Sequence, residues 1–260
     1  MKNIEYYIII GSSRGLGAAI VNELLKDNNS KVIGISRTPY ENIVNHTYWR
    51  SSHRYQHVEM DITDNSCSVI LKNISSNLPS QQPVCVIFNA ALVSSEINQY
   101  KQINYEQFEK INKVGIDGFG NVLKACEQIL LDTKGVFVGI SSFSAFVPPV
   151  FDPRIAYPAS KAYLNMALRC LRTTWDKVDV ITINLGHIGG EKNDFLSQWI
   201  SPSYTKTACK IINIIRAKKI PQIVNYPFIY KIVYGFILGF VSDTFYKYIF
   251  TRLKKLTFFK

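Results

Sequence analysis

Tyr157 and Lys161 are the residues whose types and spacing first suggest chemistry in this sequence. They stand four residues apart in a segment with helical apolar spacing, so both side chains would lie on one face of a helix. A free tyrosine has a pKa of about 10 and is a poor acid–base catalyst at neutral pH, but a neighbouring ammonium group favours the phenolate and lowers that pKa. Such a pair can give a proton to a carbonyl oxygen or take one from an alcohol. The same spacing also occurs as an ordinary pair on a helix surface, so it has to be weighed with the rest of the chain.

A second group of residues could hold a phosphate. The segment Gly11-Ser12-Ser13-Arg14-Gly15-Leu16-Gly17 directly follows a short apolar run and opens a segment with helical spacing. Glycines at a strand-to-helix turn permit a close approach of the backbone to a pyrophosphate, and the helix N-terminus supplies N–H donors with a partial positive charge. Glycine-rich turns also serve packing alone, but the position after the first strand and before a helix favours a nucleotide phosphate.

Alternating segments must position these residues. Short apolar runs rich in β-branched residues are predicted strands, and the segments between them carry apolar residues at helical spacing. The predicted strands are Tyr6–Ile10, Lys31–Ile35, His57–Met60, Val84–Phe88, Val136–Ile140 and Val178–Ile183, and the predicted helices are Leu16–Leu25, Ser66–Ile74, Tyr105–Leu131 and Ala156–Trp175. This alternation predicts an α/β fold, a doubly wound parallel sheet covered by helices on both faces, in three layers.

The charge of the chain is unevenly distributed. The 260 residues carry a formal net charge of +11, of which residues 205–260 hold +10. The bases of this tail alternate with long apolar runs, which is not typical of a nucleic-acid-binding protein, and we expect no nucleic-acid partner. The five cysteines are widely spaced without a C-x-x-C pair, and the N-terminus has no room for a signal peptide. Together these features predict a cytoplasmic protein with buried, reduced thiols and no metal site.

Taken in order, the motifs of the chain resemble those of the short-chain dehydrogenase/reductase family, in its short branch. The glycine loop has that family's G-x-x-x-G-x-G spacing. The other matching motifs are Asp61-Ile62 after the third predicted strand, Asn89-Ala90 after the fourth, Asn112 in the long helix, Ser141-Ser142 after the fifth strand, Tyr157-Pro158-Ala159-Ser160-Lys161 and Gly186. The resemblance implies a Rossmann-like fold and a nicotinamide cofactor.

The resemblance also implies a role for each matched residue. Tyr157 would be the acid–base catalyst, and Lys161 would hold the nicotinamide ribose. Asn112 would help to relay protons through water, and Ser142 would hydrogen-bond the substrate oxygen. Ser144 is the alternative to Ser142, because Ser142 precedes Tyr157 by two residues more than is usual in the family. The residues that would bind the cofactor are Gly11, Ser13, Arg14, Gly15, Leu16, Gly17, Ser36, Arg37, Asp61, Ile62, Asn89, Ala90, Tyr157, Lys161, Gly186 and Ile188.

Three positions depart from the family's pattern. Ala91 replaces the glycine of its Asn-Ala-Gly motif, Leu185 replaces the proline of its Pro-Gly motif, and Gly190 stands where a threonine commonly bonds the nicotinamide carboxamide. These departures motivate an alternative to the enzyme, namely a catalytically inactive nucleotide-binding scaffold or sensor at a membrane surface.

The end of the second predicted strand predicts the cofactor. An enzyme that uses NAD has an acid there for the ribose 2′-hydroxyl, whereas a base accommodates the 2′-phosphate of NADP. The strand ends in Ser36-Arg37 with no acid before Glu41, and Arg14 adds a second base. Because arginine binds phosphate in bidentate fashion, we expect NADP(H) in preference to NAD(H). The predicted function is reduction of a small-molecule carbonyl compound to an alcohol, or the reverse, with Tyr157 as the acid or base.

Residues 226–260 form a hydrophobic, basic extension to a predicted domain of residues 1–225. The uncharged stretch Ile232–Val241 has ten residues, whereas a spanning helix needs about 20. We expect the extension to lie at a membrane surface, peripherally, with its bases attracted to anionic lipid, which would suit a lipophilic substrate. The alternative is packing on the sheet edge or on another subunit, because the resemblance implies a dimer or tetramer. Glu191–Ser203 is the expected specificity segment.

Overall fold

The computed structural model describes residues 2–43, 49, 52–79, 81–98, 100–147, 154–189 and 200–232. Within them, strands and helices alternate as the sequence predicts. The strands are β1 (Tyr6–Ile10), β2 (Lys31–Ser36), β3 (Tyr55–Glu59), β4 (Val84–Phe88), β5 (Val136–Ser142), β6 (Asp179–Leu185) and β7 (Ile223–Tyr226). The α-helices are α1 (Gly15–Leu25), α2 (Cys67–Ser76), α3 (Tyr105–Asn112), α4 (Gly118–Asp132), α5 (Ala156–Thr174) and α6 (Tyr204–Ile215).

The seven strands form one sheet in the order β3-β2-β1-β4-β5-β6-β7, and every pair of neighbours is parallel. The carboxyl ends of all strands therefore meet at one edge. The chain runs outward from β1 on one side and then returns to β4 on the other, so a crevice opens at the end of β1, where such sheets bind ligands. The predicted doubly wound parallel sheet is confirmed.

Helices cover both faces of the sheet. On one face α1 and α6 pack against the strands, with Ile20 and Ile211 buried in that layer. On the other face α2, α4 and α5 do so, with Leu71, Phe119 and Leu168 buried. The central strands β1, β2, β4, β5 and β6 are buried on both faces, which explains why their sequences are mostly continuous apolar runs rather than alternating ones. The three predicted layers are confirmed.

The long helix predicted over Tyr105–Leu131 is divided into three parts. A π-helical turn, Lys113–Asp117, separates α3 from α4, and within it the N–H of Gly118 donates to the carbonyl of Lys113. One inserted residue hardly changes the spacing of the apolar side chains, so the sequence pattern alone reads as a single helix. Such turns occur frequently at functional sites, and this one directly follows Asn112.

The last two described elements, α6 and β7, lie beyond the predicted ones. In α6 the buried residues Ala208, Ile211, Ile212 and Ile215 have helical spacing behind the capping residue Ser203, so the signal was present in the sequence. Strand β7 is short, lies at the edge of the sheet and is only partly buried. Its apolar residues therefore show no clear periodicity in the sequence.

The cysteines only partly follow the prediction of buried thiols. Cys67, Cys85 and Cys126 are buried, and burial raises their pKa values. Cys170, in contrast, is exposed, and Cys209 is half-buried. All five are free thiols, as expected for a chain without disulfides.

The extension begins with a short helical turn over residues 228–232, directly after β7. Residues 233–260 lie outside the described part of the chain, and with them most of the stretch Ile232–Val241 on which the membrane prediction rests. Among the described residues, no helix is long and apolar enough to cross a membrane. The boundary at residue 226 and the contact with a membrane stay predictions.

Candidate active site

The candidate catalytic and cofactor-binding residues gather at the carboxyl edge of the sheet. The register of the last three strands aligns their ends, because Ser142 pairs with Leu185 and Leu185 pairs with Tyr226. On the other side of the site, Ile10 pairs with Phe88, so the glycine loop after β1 lies beside Asn89 after β4. The alignment brings distant parts of the sequence together without any long loop.

The glycine loop is held by the neighbouring strand end. The side-chain amide of Asn89 donates to the carbonyl of Gly11 over 2.8 Å. Gly11 has a φ of +84°, and a Cβ there would lie 2.8 Å from the Cα of Ala90. A Cβ on Gly17 would lie only 1.9 Å from the carbonyl oxygen of Gly11. These glycines therefore allow helix α1 to begin directly against the strand end, with its N-terminus at the crevice.

Gly15 completes the loop with a φ of +56° and is covered only by Tyr204, the first residue of α6. The same ring would lie 2.6 Å from a Cβ on Gly189, which follows β6. Tyr204 thus bridges the glycine loop and the segment after β6, where Ile188 packs partly buried against the core. Sequence reasoning missed Tyr204, since no motif marks it. Gly190 and most of Glu191–Ser203 lie outside the described residues.

Two arginines lie where the sequence predicts contacts with the adenosine part of a cofactor, one before α1 and one after β2. Arg37 follows β2, and its Nη1 lies 3.7 Å from Oδ2 of Asp61, which follows β3. Its side chain is 57% exposed, so a phosphate can reach the guanidinium group. Arg14 is exposed at the start of α1. Ser36 is buried at the end of β2, whereas Ser13 accepts a hydrogen bond from Thr38 over 3.1 Å.

Asp61 and Ile62 are fixed at the end of β3. One carboxylate oxygen of Asp61 accepts from the backbone N–H and from the hydroxyl of Thr63, each at 2.9 Å. Ile62 is buried, and it packs so closely on Gly118 that a Cβ there would lie 2.7 Å from its Cδ1. These contacts hold Asp61 rigidly while its other oxygen faces Arg37.

Tyr157 and Ser142 meet at the centre of the site. Tyr157 lies in the first turn of α5, and its phenol lies close to the side chain of Ser142, the last residue of β5. Ser142 also accepts from the backbone N–H and the hydroxyl of Ser144, at 3.1 and 2.9 Å. Ser142 is therefore the serine that contacts Tyr157, and Ser144 supports it from behind.

Lys161 lies beneath Tyr157 on the same face of α5, as the spacing predicts. Its ammonium group is 5.7 Å from the centre of the Tyr157 ring and donates to the carbonyl of Ile140 over 2.7 Å. Only 5% of the residue is exposed, and burial lowers the pKa of Lys161 to about 8.

The expectation that an ammonium group lowers the pKa of Tyr157 is wrong. Burial raises the pKa of this phenol, and the nearby Ser142 side chain and the charge of Arg154 oppose that effect only in part. Burial also lowers the pKa of Lys161, so the loss of solvent is the main influence on the pKa of both groups. The neutral phenol is the form that can donate a proton.

Asn112 lies directly before the π-helical turn, which packs against the helix that carries this pair. The π-helical turn approaches α5 so closely that a Cβ on Gly115 would lie 2.6 Å from the Cβ of Ser160. A cavity with room for about one water molecule lies between the two helices and the loop after β4. Its lining residues include Ala90, Ala91, Ile111, Gly115, Tyr157 and Lys161.

Glu96 is a residue that sequence reasoning missed. It lies in the loop after β4, is 1% exposed, and its Oε1 accepts hydrogen bonds from the backbone N–H groups of Ile155 and Ala156. These groups begin helix α5, so a carboxylate far away in the sequence caps the helix that carries Tyr157. Spacing carries no signal for such a contact.

Gly186 closes the site on the side of β6. Its N–H donates to the carbonyl of Tyr226 over 2.9 Å, and the ring of Tyr230 lies where a side chain would otherwise be, 2.5 Å from a Cβ built there. Leu185, which replaces the family's proline, is buried in the core. The described residues contain no cluster of three or more metal-ligating side chains.

Comparisons with known proteins agree with this geometry. The sequence profile of the short chain dehydrogenases matches residues 5–201. No curated protein matches the chain by sequence. The fold is similar to that of a short-chain dehydrogenase from Streptomyces avermitilis, with a TM-score of 0.72 at 16% identity over 91% of this chain and 93% of that one.

Two similar structures contain a nucleotide. One is a short chain dehydrogenase from Burkholderia cenocepacia in complex with NADP, with a TM-score of 0.70 at 19% identity over 91% of this chain and 94% of that one. The other is an NADPH-bound carbonyl reductase from chicken fatty liver, with a TM-score of 0.70 at 16% identity over 86% of this chain and 97% of that one. At these identities the likeness shows a shared fold.

Proposed function

The chain belongs to the short-chain dehydrogenase family, and from this premise we propose that it reduces a carbonyl compound to an alcohol, or catalyses the reverse reaction, with NADP(H). Membership supports an NAD(P)-dependent oxidoreductase in general. The observation that carries the finer proposal is the position of the Tyr157 phenol, which lies close to the Ser142 side chain and has its ring centre 5.7 Å from the buried ammonium group of Lys161. The three groups surround one point at the carboxyl edge of the sheet.

Each side chain of the site has its own role in the proposed reaction. Tyr157, held as a neutral phenol by burial, gives its proton to the carbonyl oxygen, and Ser142 donates a hydrogen bond to that oxygen as negative charge develops on it. Lys161 binds the ribose beside the nicotinamide, and its charge favours the phenolate once the proton has left. The water-sized cavity between α3 and α5 offers a path by which Tyr157 regains a proton near Asn112.

The residues at the crevice fit a dinucleotide. The backbone around Gly11, Gly15 and Gly17 is free of side chains where it begins α1, so a pyrophosphate can approach the helix N-terminus. Asn89 fixes the loop from the neighbouring strand end. A bound cofactor would supply the hydride, and Gly186 and Ile188 are the residues that would hold its nicotinamide.

The preference for NADP(H) rests on Arg37. Its guanidinium group is more than half exposed at the end of β2, and its ion pair with Asp61 is long, at 3.7 Å. A weakly held guanidinium can turn to a 2′-phosphate at little cost, whereas no acid stands in that position to bind a 2′-hydroxyl. Two structurally similar proteins are described with NADP or NADPH, which agrees with the proposal.

A paired titration of the full chain with NADPH and NADH, followed by the fluorescence of the reduced nicotinamide, tests the cofactor. We expect NADPH to bind at least about tenfold more tightly than NADH, which corresponds to a difference of about 1.4 kcal/mol in binding free energy. An equal or higher affinity for NADH would contradict the preference for NADPH, but it would not contradict the proposed reaction.

Oxidation of NADPH with a panel of aldehydes and ketones tests the reaction, with Tyr157→Phe as the matched variant. This change removes only the hydroxyl and should abolish turnover while the NADPH affinity stays within about twofold. Unchanged turnover in Tyr157→Phe would remove this residue from the mechanism. Tight nucleotide binding without turnover of any carbonyl compound would favour the alternative of a nucleotide-binding scaffold.

We also propose a peripheral contact of the extension with a membrane, which suits a lipophilic substrate. The observation that supports it is the exposure of apolar side chains at the first turn of the extension, where Phe228 is 60% and Ile232 46% exposed beside the exposed Lys231. Apolar rings next to a base are the combination that binds an anionic lipid surface. Assembly into a dimer or tetramer stays a prediction from the family resemblance.

A further inference from the structure

Three aromatic side chains form a row beside Ser142. Phe143 directly follows that serine, and its ring lies 5.5 Å from the ring of Tyr230, nearly parallel to it at 26°. On the other side, the ring of Phe146 lies 6.4 Å from Phe143. We refer to Phe146, Phe143 and Tyr230 as the aromatic row. It joins the end of β5 to the first turn of the C-terminal extension.

The row belongs to neither layer of the hydrophobic core. In the described part of the chain, both core clusters are formed by strands and helices on the two faces of the sheet, and none of the three aromatic residues is a member. Phe143 is 5% exposed, whereas Phe146 is 46% exposed. The row therefore runs from a buried position next to Ser142 towards the surface, along the carboxyl edge that carries the reaction.

Tyr230 is held in place by two contacts besides Phe143. Its ring lies against the backbone of Gly186, where only a glycine leaves room for it. Its hydroxyl lies close to the backbone of His187, which lowers the pKa of the phenol, while burial raises that pKa by more. The ring is consequently a fixed surface and not a side chain that swings freely in solvent.

The register of the sheet places this surface next to the reacting groups. Ser142 pairs with Leu185, Leu185 pairs with Tyr226, and Gly186 is bonded to the carbonyl of Tyr226. Tyr230 on Gly186 therefore lies one strand away from the hydroxyl that contacts Tyr157. The row and the two groups proposed to bind the carbonyl oxygen therefore lie at the same edge of the sheet.

We propose that Tyr230 is a specificity-determining residue, and that the aromatic row forms the wall of the substrate site that binds a flat apolar group, aromatic or alicyclic, attached to the carbonyl carbon. This inference rests on the proposed carbonyl chemistry and deepens it. Rings pack well on rings in offset or edge-to-face geometry, whereas a flexible alkyl chain loses more conformational freedom on the same surface.

Binding of probe ketones to the NADPH complex of the full chain tests the proposal, with Tyr157→Phe in the background so that nothing is turned over. Acetophenone and hexan-2-one serve as aromatic and flexible probes, and calorimetry gives both affinities. We expect acetophenone to bind about tenfold more tightly than hexan-2-one. Equal affinities, or a preference for hexan-2-one, would overturn the proposal.

The matched variants are Tyr230→Leu, Tyr230→Phe and Phe228→Ala in that background. Tyr230→Leu keeps apolar bulk but removes the ring, so the ratio of the two affinities should fall to about two or less. Tyr230→Phe keeps the ring and should keep the ratio, as should Phe228→Ala, which changes an exposed ring in the same turn. An unchanged ratio in Tyr230→Leu, with folding confirmed by its thermal unfolding curve and by NADPH binding, would contradict the assignment.

A separate result would contradict the proposed function. Absence of NADPH oxidation in the chain with Tyr157 intact would contradict the reaction, whereas the ratio of ketone affinities does not depend on turnover. Should the chain bind no NADPH, the same ratio is measured on the protein alone, because all contacts within the row are between residues of the chain itself.

Discussion

The Oε1 atom of Glu96 lies 2.7 Å from the backbone nitrogen of Ala156, the residue directly before Tyr157. It also accepts from the N–H of Ile155, so a single buried carboxylate oxygen closes the N-terminus of α5. The loop after β4 is in this way attached to the helix that carries Tyr157 and Lys161. Under the proposed mechanism, Glu96 is a positioning residue that would act on the reaction through Tyr157.

Replacing Glu96 therefore affects both folding and turnover. In Glu96→Ala two buried N–H groups lose their acceptor, which costs about 1–3 kcal/mol of unfolding free energy, and we expect kcat to fall about tenfold through displacement of Tyr157. Glu96→Gln keeps an acceptor oxygen and should restore most of kcat. Urea unfolding and steady-state kinetics measure the two effects. An equal loss of kcat in both variants would show that the charge, and not the position of the helix, is what matters.

Gly115 controls the distance between the π-helical turn and α5. A Cβ there would lie 2.6 Å from the Cβ of Ser160, so Gly115→Ala pushes the helices apart at the water-sized cavity. We expect a loss of about 1–3 kcal/mol in unfolding free energy and lower kcat with unchanged NADPH affinity. Gly120→Ala is the control, because no atom lies within 4 Å of its Cβ. That change should stabilise the helix by about 0.5–1 kcal/mol.

Arg37 should discriminate between the two nicotinamide cofactors. Arg37→Gln removes the guanidinium group, and we expect the Kd for NADPH to rise about tenfold or more while the Kd for NADH changes less than about twofold. The ion pair with Asp61 is half exposed, so stability should change by less than about 1 kcal/mol. Fluorescence titration of both nucleotides gives the comparison. Parallel losses for NADPH and NADH would place Arg37 away from the 2′-phosphate.

The buried Lys161 predicts a pH dependence of stability. Its pKa is about 8 in the folded chain, whereas the ordinary pKa of a solvated lysine is 10.5, so between these pH values the unfolded state binds more protons. Stability therefore rises with pH through this window as the folded chain releases the buried charge. Relative to Lys161→Met, the wild type should gain up to about 3 kcal/mol between pH 8 and pH 10.5, as measured by urea unfolding. A constant difference across that range would mean that the lysine is not buried as a cation.

The extension should bind anionic vesicles. The full chain is expected to sediment with vesicles that contain phosphatidylserine, to dissociate as salt is added, and to leave neutral vesicles unbound. A variant with glutamine at Lys247, Arg252, Lys254 and Lys255 keeps the apolar residues and should lose most of the binding. Equal sedimentation of both chains would contradict an electrostatic contact with lipid.

The sequence predicted those features that are local or repeated. The central strands are continuous apolar runs because both faces of the sheet are covered, and the glycine loop stands directly after the first of them. The spacing of Tyr157 and Lys161 is also local, and the structure places both on one face of α5.

The features that the sequence did not predict depend on contacts between distant residues. Glu96 meets a helix start that lies far along the chain, and Tyr230 meets Gly186 through a pairing of β6 with β7. The direction of the pKa shift of Tyr157 depends on how deeply the phenol is buried, which spacing does not contain. The π-helical turn shifts the apolar spacing of a helix by only one residue, which is too small a change to be recognised in the sequence pattern.

The position of β7 at the sheet edge has a consequence for the order in which the site is completed during synthesis. The chain is made from its N-terminus, so the glycine loop, Ser142 and Tyr157 all leave the ribosome before β7 exists to pair with β6. Until then the N–H of Gly186 lacks its partner on Tyr226, and the aromatic row lacks its last ring. The glycine loop, Ser142 and Tyr157 are therefore all synthesised before the last strand, and a premature stop before residue 223 would leave β6 as an open edge of the sheet.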